Sequence, residues 1–179
     1  ELRTAKLERY KKEYELPDYD AQIITGSKHM ADIFEETTAI CKKPKKVSNW
    51  LMGETLRLLK EHEKEPEDIS FSAENLAKLI ELVDGGVING NVAKKVFEQI
   101  FAENIDPEKY VEEKGLKTVN DEGALRETIE QIVADNPKSV EDYHNGKEKA
   151  IGFLVGQTMK AMKGKADPGM VNKILKEIL

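Results

Sequence analysis

The residues best suited to chemistry lie between Lys147 and Lys165, where lysines and glycines recur at helical spacing. Wound as an α-helix at about 100° per residue, the segment predicts one shared face for Lys149, Gly152, Gly156, Lys160 and Lys163, with Phe153 beside them. Glycine inside a helix costs about 1 kcal/mol relative to alanine, so an outward glycine strip needs a compensating role. A smooth strip flanked by ammonium groups suits the phosphates of a nucleic acid, which attract positive charge and need close approach.

A purely structural interpretation of the same face stays open at this point. Glycines also let a neighbouring helix pack closely, and lysines are also ordinary solvated charges. The opposite side of this helix carries Ile151, Leu154, Val155, Thr158 and Met162, and it is predicted to face the core. The two interpretations therefore differ only in what contacts the glycines.

The charge distribution favours a nucleic-acid site in the last third of the chain. The 179 residues carry a net charge of −6, but residues 1–114 hold 18 basic and 24 acidic residues, whereas residues 115–179 hold 10 of each. Residues 147–176 carry seven lysines against Glu148 and Asp167, a local net charge of +5. Such a basic patch is typical of nucleic-acid binding, although surfaces that bind nothing also carry them.

The sequence shows no pattern of catalytic or metal-binding residues. His29, His62 and His144 are far apart and have no cysteine or paired carboxylate at ligand spacing, so no zinc site is predicted. Cys41 has no nearby base to activate it, and a single cysteine cannot form an internal disulfide. The GKA sequence ending at Ala166 fails the GxxxxGK[ST] pattern because alanine replaces the hydroxyl residue and no strand precedes it.

The elements that must position these residues are predicted to be helices throughout. We expect an all-α protein, with a helical bundle domain followed by a small helical tail domain. Helix starts are predicted at the N-cap residues Ser27, Ser72, Asp106 and Asp167, the last two each followed by proline. Apolar residues recur at spacings of three and four between these caps, and no apolar run approaches the roughly 18 residues of a membrane span.

Residues 114–120, KGLKTVN, show no helical stripe and are predicted to link the two domains, residues 1–114 and 115–179. Because apolar faces on either side are self-contained, we expect the two domains to behave as separable folding units. Limited proteolysis should then cut first between Glu113 and Asp121. First cuts within residues 147–163 would contradict this boundary.

Five stretches carry a resemblance to a known family. They are ERYKKEYELPDYDA (8–21), SNWLMGE (48–54), DGGVINGNVAKKVFE (84–98), VEEKGLKTVNDEGAL (111–125) and ADNPKSVEDYHNGKEKAIGFLVGQTMKAMKGKADPGMVNKIL (134–175). Through them the chain resembles, nearly end to end, the C-terminal half of the B subunit of the bacterial tRNA-dependent amidotransferase GatCAB, which includes a YqeY-like tail domain.

The resemblance implies a role in a complex that converts Glu-tRNA(Gln) into Gln-tRNA(Gln), and often Asp-tRNA(Asn) into Asn-tRNA(Asn), with ATP and glutamine. The family's catalytic centre lies in an upstream cradle domain, to which ATP and Mg belong. We therefore expect no catalytic residue, cofactor or metal in this segment. The implied partners are tRNA and the A and C subunits in the cytoplasm, without membrane or DNA.

In this family the helical and tail domains are thought to hold the tRNA body. Carried over by position, the implied RNA-binding residues are Lys147, Lys149, Gly152, Gly156, Gln157, Lys160, Lys163, Gly164 and Lys165, joined by Phe153 beside them. Two residues depart from the common family pattern: Met162 replaces a small hydroxyl residue, and Asp167 replaces asparagine. The alternative is a docking module of the same complex that does not contact tRNA directly.

Overall fold

The computed structural model describes residues 1–118 and 122–179, and all regular structure in these residues is helical. The all-α prediction is confirmed. The helices are α1 Arg3–Glu13, α2 Asp18–Thr25, α3 Lys28–Cys41, α4 Pro44–Trp50, α5 Leu56–Glu61, α6 Ala73–Asp84, α7 Gly90–Glu103, α8 Pro107–Lys114, α9 Glu122–Asp135, α10 Pro137–His144, α11 Lys149–Ala161 and α12 Pro168–Ile178. No helix of the described residues combines the length and apolar character that crossing a membrane requires.

The chain divides into two compact units. The first contains Glu1–Gly85 and Ala93–Gly115, and the second contains Gly86–Val92 and Leu116–Leu179. The predicted link, residues 114–120, lies only partly within the described residues. The second unit also contains Gly86–Val92, a short segment from earlier in the chain. Separate folding of the predicted domains stays a prediction.

The predicted helix caps are present. Ser27 Oγ accepts a hydrogen bond from the Met30 backbone N–H at 3.2 Å, and Ser72 Oγ accepts one from Asn75 at 3.2 Å. Asp106 Oδ1 accepts one from Glu108 N–H at 3.0 Å, and its Oδ2 accepts one from Lys78 Nζ, also at 3.0 Å. The Lys78 hydrogen bond lowers the pKa of the Asp106 carboxyl below its usual value, so this cap stays ionised.

The core of the first unit is built on aromatic and aliphatic side chains of its amphipathic helices. Tyr10 packs on Phe34 with ring centroids 5.1 Å apart, and half-buried Trp50 packs on fully buried Phe97 at 5.2 Å. Aromatic pairs at these separations add to the stabilisation from burial. Trp50 is therefore a packing residue, as its helical spacing predicts.

Two local features of the first unit were not predicted from the sequence. Helix α2 spans only Asp18–Thr25 and buries Ala21, Ile24 and Thr25, too short a stretch for periodicity to identify. The run between Pro44 and Glu61 also contains a π-helical turn at Leu51–Thr55. There Thr55 Oγ1 donates to the Trp50 carbonyl at 2.9 Å.

The second unit has its own apolar core. Seven buried residues from three helices and the segment before α12 form this core. They are Leu125 and Ile129 of α9, Leu154 of α11, Ala166 before α12, and Val171, Ile174 and Leu175 of α12. Ile151, Val155 and Met162 pack against them, which confirms the predicted inner side of α11. Within the same unit, Thr118 N–H donates to the Val87 carbonyl at 2.7 Å. This bond ties the Gly86–Val92 segment to the start of the main part of the unit.

Candidate nucleic-acid interface

Helix α11 presents an exposed face of glycines and lysines opposite its buried side. Leu154 and Thr158 are buried, and Thr158 Oγ1 donates to the Leu154 carbonyl at 2.9 Å. On the other side, Lys149, Gly152, Gly156 and Lys160 are exposed and Phe153 is 48% exposed. These five residues are called the glycine-lysine face below. Their position follows from the helical period, because α11 must bury its apolar stripe.

The glycines of this face meet open space. A Cβ atom added at Gly152 or Gly156 would find no described atom within 4 Å. The interpretation that these glycines seat a neighbouring helix is therefore wrong for the described part of this chain. The two glycines form a smooth strip on which the backbone of another molecule can lie. They also make the helix less stable, because glycine is a poor helix former.

Open space at Gly156 leads to a stability prediction of definite sign. Gly156→Ala should raise the free energy of unfolding of the second unit by about 0.5–1 kcal/mol, because alanine is the better helix former. Gly164→Ala is the matched control: at a φ of +74° the same added methyl group should cost about 1–2 kcal/mol. Thermal melts of both variants check the pair. Destabilisation by Gly156→Ala would show that something covers this glycine.

The basic residues that follow α11 lie in a turn rather than on the helix. Because α11 ends at Ala161, Lys163 does not continue the helical face, contrary to its spacing. Lys163 and Gly164 instead have positive φ values of 55° and 74°. Gly164 N–H donates to the Met159 carbonyl at 2.8 Å, and Lys165 N–H donates to Met162 at 3.1 Å. The turn Lys163, Gly164 and Lys165 is called the basic turn below.

The remaining predicted residues lie next to the glycine-lysine face and the basic turn. Lys147 precedes α11; it is 71% exposed and lies 3.7 Å from the Asp142 carboxylate, measured from Nζ to Oδ1. Gln157, Gly164 and Lys165 are half-buried, whereas Lys163 is exposed. The structure therefore places all ten predicted residues along α11 and at its two ends, although whether they bind RNA stays a prediction.

Four of the five lysines of the site differ from Lys147 in having no acidic partner among the described residues. Among the described residues no ion pair involves Lys149, Lys160, Lys163 or Lys165. Asp167 caps α12 as predicted, since its Oδ1 accepts a hydrogen bond from Gly169 N–H at 3.1 Å. An ammonium group without a carboxylate partner can approach an anionic ligand without first breaking an ion pair.

One residue near the basic turn was missed by the sequence analysis. Asn89 Nδ2 donates a short hydrogen bond to the Gly164 carbonyl, 75 residues away in sequence. The only local signal is its position directly before α7, where Asn89 Oδ1 accepts from Val92 N–H at 2.9 Å as an N-cap. A cap can be read from sequence, but a second bond to a distant turn cannot.

No group of three or more histidine, cysteine or acidic side chains able to hold a metal ion occurs in residues 1–118 and 122–179. The single cysteine, Cys41, is buried and free. The chemistry that this surface can supply is electrostatic attraction and shape, which are the means of binding a phosphate backbone.

Comparison with known proteins gives a consistent result. The sequence model of the GatB domain family (GatB_Yqey) matches residues 32–179. The B subunit of the aspartyl/glutamyl-tRNA(Asn/Gln) amidotransferase of Agathobacter rectalis is 66% identical over the whole chain, which covers 38% of that protein. The proteins of the same name from Lachnoclostridium phytofermentans and Geobacillus kaustophilus are 62% and 50% identical over 100% and 99% of the chain, and 37% of each protein is covered. The chain thus spans well under half the length of these relatives.

Proposed function

The chain belongs to the GatB domain family, and from this premise we propose that it is a tRNA-holding region of the B subunit of an aspartyl/glutamyl-tRNA(Asn/Gln) amidotransferase. In this proposal it holds misacylated Glu-tRNA(Gln) or Asp-tRNA(Asn) while amidation takes place elsewhere in the complex. The single observation that carries the proposal is the glycine-lysine face. It is exposed, open above both glycines and basic.

The binding mode that this surface favours is contact with the RNA backbone. Each lysine that neutralises a phosphate releases a bound counterion, so affinity depends strongly on salt. Gly152 and Gly156 let the sugar-phosphate chain approach α11 without displacing a side chain. A folded tRNA is recognised largely by the shape of its backbone, which suits a surface without an array of base-reading side chains.

The amidation chemistry is proposed to lie outside this chain. The described residues contain no group of three or more histidine, cysteine or acidic side chains that could hold a metal ion, and we assign no step of ATP use to them. ATP and Mg would belong to the remaining part of the full-length protein, with which the A and C subunits would associate. A cytoplasmic location and the absence of membrane and DNA partners complete the proposal.

The experiment that tests tRNA binding is a titration of the 179-residue chain with deacylated tRNA(Gln) at 50 and 200 mM salt. The proposal requires saturable binding that weakens steeply with salt. A DNA duplex of equal phosphate number serves as the control for shape. Binding that is absent, or equal for tRNA and DNA, would contradict the proposal and favour a docking module that does not contact tRNA.

The chain alone is expected to be inactive in amidation. Purified, it should hydrolyse neither ATP nor glutamine, and it should not convert Glu-tRNA(Gln), because the catalytic cradle domain implied by the resemblance lies outside this segment and its sequence shows no nucleophile paired with a base. Release of phosphate and of glutamate above a no-protein blank is the measurement. The complete amidotransferase is the positive control, and robust ATP turnover by the chain alone would contradict this expectation.

A further inference from the structure

Asn89 forms a link between the basic turn and an earlier segment of the chain. It lies in Gly86–Val92, which belongs to the second unit. Its Nδ2 donates to the Gly164 carbonyl and, at 3.4 Å, to the Ala166 carbonyl. One amide group therefore contacts the carbonyls on both sides of Lys165.

The same side chain is itself held in place. Asn89 Oδ1 accepts from Val92 N–H at 2.9 Å, which fixes the amide plane and leaves Nδ2 directed at the turn. Its neighbour Ile88 is 1% exposed, and Ala166 is fully buried. Because both ends of the link are anchored by burial, the amide cannot swing away without breaking packing.

The Asn89 link adds to the local backbone hydrogen bonds of the basic turn. Lys163 and Gly164 have positive φ values in succession, and for a residue with a side chain this conformation costs about 1–2 kcal/mol. A turn of this kind keeps one geometry only when surrounding contacts determine it. The Asn89 amide supplies bonds to this turn from outside α11.

We infer that Asn89 is a positioning residue for the RNA-binding surface, acting by holding the basic turn so that Lys165 is directed at a phosphate. This inference rests on the proposed tRNA binding. A lysine already held in its binding geometry loses less conformational freedom when RNA binds, and the affinity rises accordingly.

The variant that tests this role is Asn89→Ser. Serine keeps an oxygen that caps Val92 N–H and adds no charge, but it has no N–H group to donate to Gly164 or Ala166. The matched control is Asn75→Ser in the first unit, where Asn75 Nδ2 donates to the Asn104 carbonyl at 3.2 Å and to its Oδ1 at 2.9 Å. Both variants thus lose an asparagine amide that donates two bonds.

The first readout does not involve RNA. Hydrogen exchange at the Lys165 amide should become about tenfold faster in Asn89→Ser, as expected for the loss of one hydrogen bond. It should not change in Asn75→Ser. Unchanged exchange at Lys165 in Asn89→Ser would overturn the positioning role, whatever the result with tRNA.

The second readout is a double-mutant cycle on tRNA affinity. Asn89→Ser should weaken tRNA binding about 5–8-fold in 0.1 M salt, which is the loss of affinity expected when one lysine-phosphate contact is removed. If Asn89 acts through Lys165, adding Lys165→Ala to Asn89→Ser should weaken binding little further, whereas adding Lys147→Ala should multiply the two effects. Full multiplication with Lys165→Ala would overturn the inference. Failure of the wild-type chain to bind tRNA would instead overturn the proposed function, and the two failures are thereby distinguished.

Discussion

Replacing Lys160 and Lys163 together by alanine is expected to weaken tRNA binding by about 25–60-fold in 0.1 M salt. Each lysine that no longer contacts a phosphate should flatten the slope of log affinity against log salt concentration by about 0.7–0.9. In 0.1 M salt this corresponds to an affinity about 5–8-fold weaker for each lysine. Both lysines are exposed, and no ion pair among the described residues involves either. Their removal should therefore change the free energy of unfolding by less than about 0.5 kcal/mol.

The matched control for this pair is Lys173→Ala with Lys176→Ala. These lysines are exposed on α12 of the same unit, so the control removes the same charge from another helix. Titrations at several salt concentrations, with thermal melts of each variant, are the measurements. Equal loss of affinity in both pairs would mean that net charge alone attracts the tRNA, and the assignment of binding to α11 and the basic turn would be wrong.

The largest effect on stability is expected for Leu154→Ala. Leu154 is fully buried at the centre of the second unit, and removing a buried leucine side chain costs about 2–5 kcal/mol. The free energy of unfolding of a unit of this size is small, because small domains bury a modest share of their surface. We therefore expect the second unit to be largely unfolded in Leu154→Ala and tRNA binding to be lost with it.

The neighbouring residue provides the control. Phe153→Ala removes a larger side chain, but one that is 48% exposed, so the free energy of unfolding should change by only about 0.5 kcal/mol. Circular dichroism melts and hydrogen exchange of both units are the measurements. Protection of the first unit should persist in Leu154→Ala, and its simultaneous loss would contradict the separability of the two units.

Local signals in the sequence determined most of the helical architecture. The caps at Ser27, Ser72 and Asp106 are bonds to residues only two or three positions away, so the sequence contains both partners within one turn. The inner and outer sides of α11 likewise follow from a period of 3.6 residues. Leu154 is buried and Gly156 is exposed because this period places them on different sides of the helix.

The contact between Asn89 and the basic turn was decided by the tertiary structure. Helical spacing would carry Lys163 along the face of α11, yet the helix ends at Ala161 and Lys163 turns to positive φ. Besides the local backbone hydrogen bonds of Gly164 and Lys165, this turn accepts a hydrogen bond from Asn89. No periodic pattern connects residues 75 positions apart, because periodicity reports only on neighbours within one helix. Sequence therefore determined which residues share a helix face, whereas the tertiary structure brought Asn89 to the turn that follows that face.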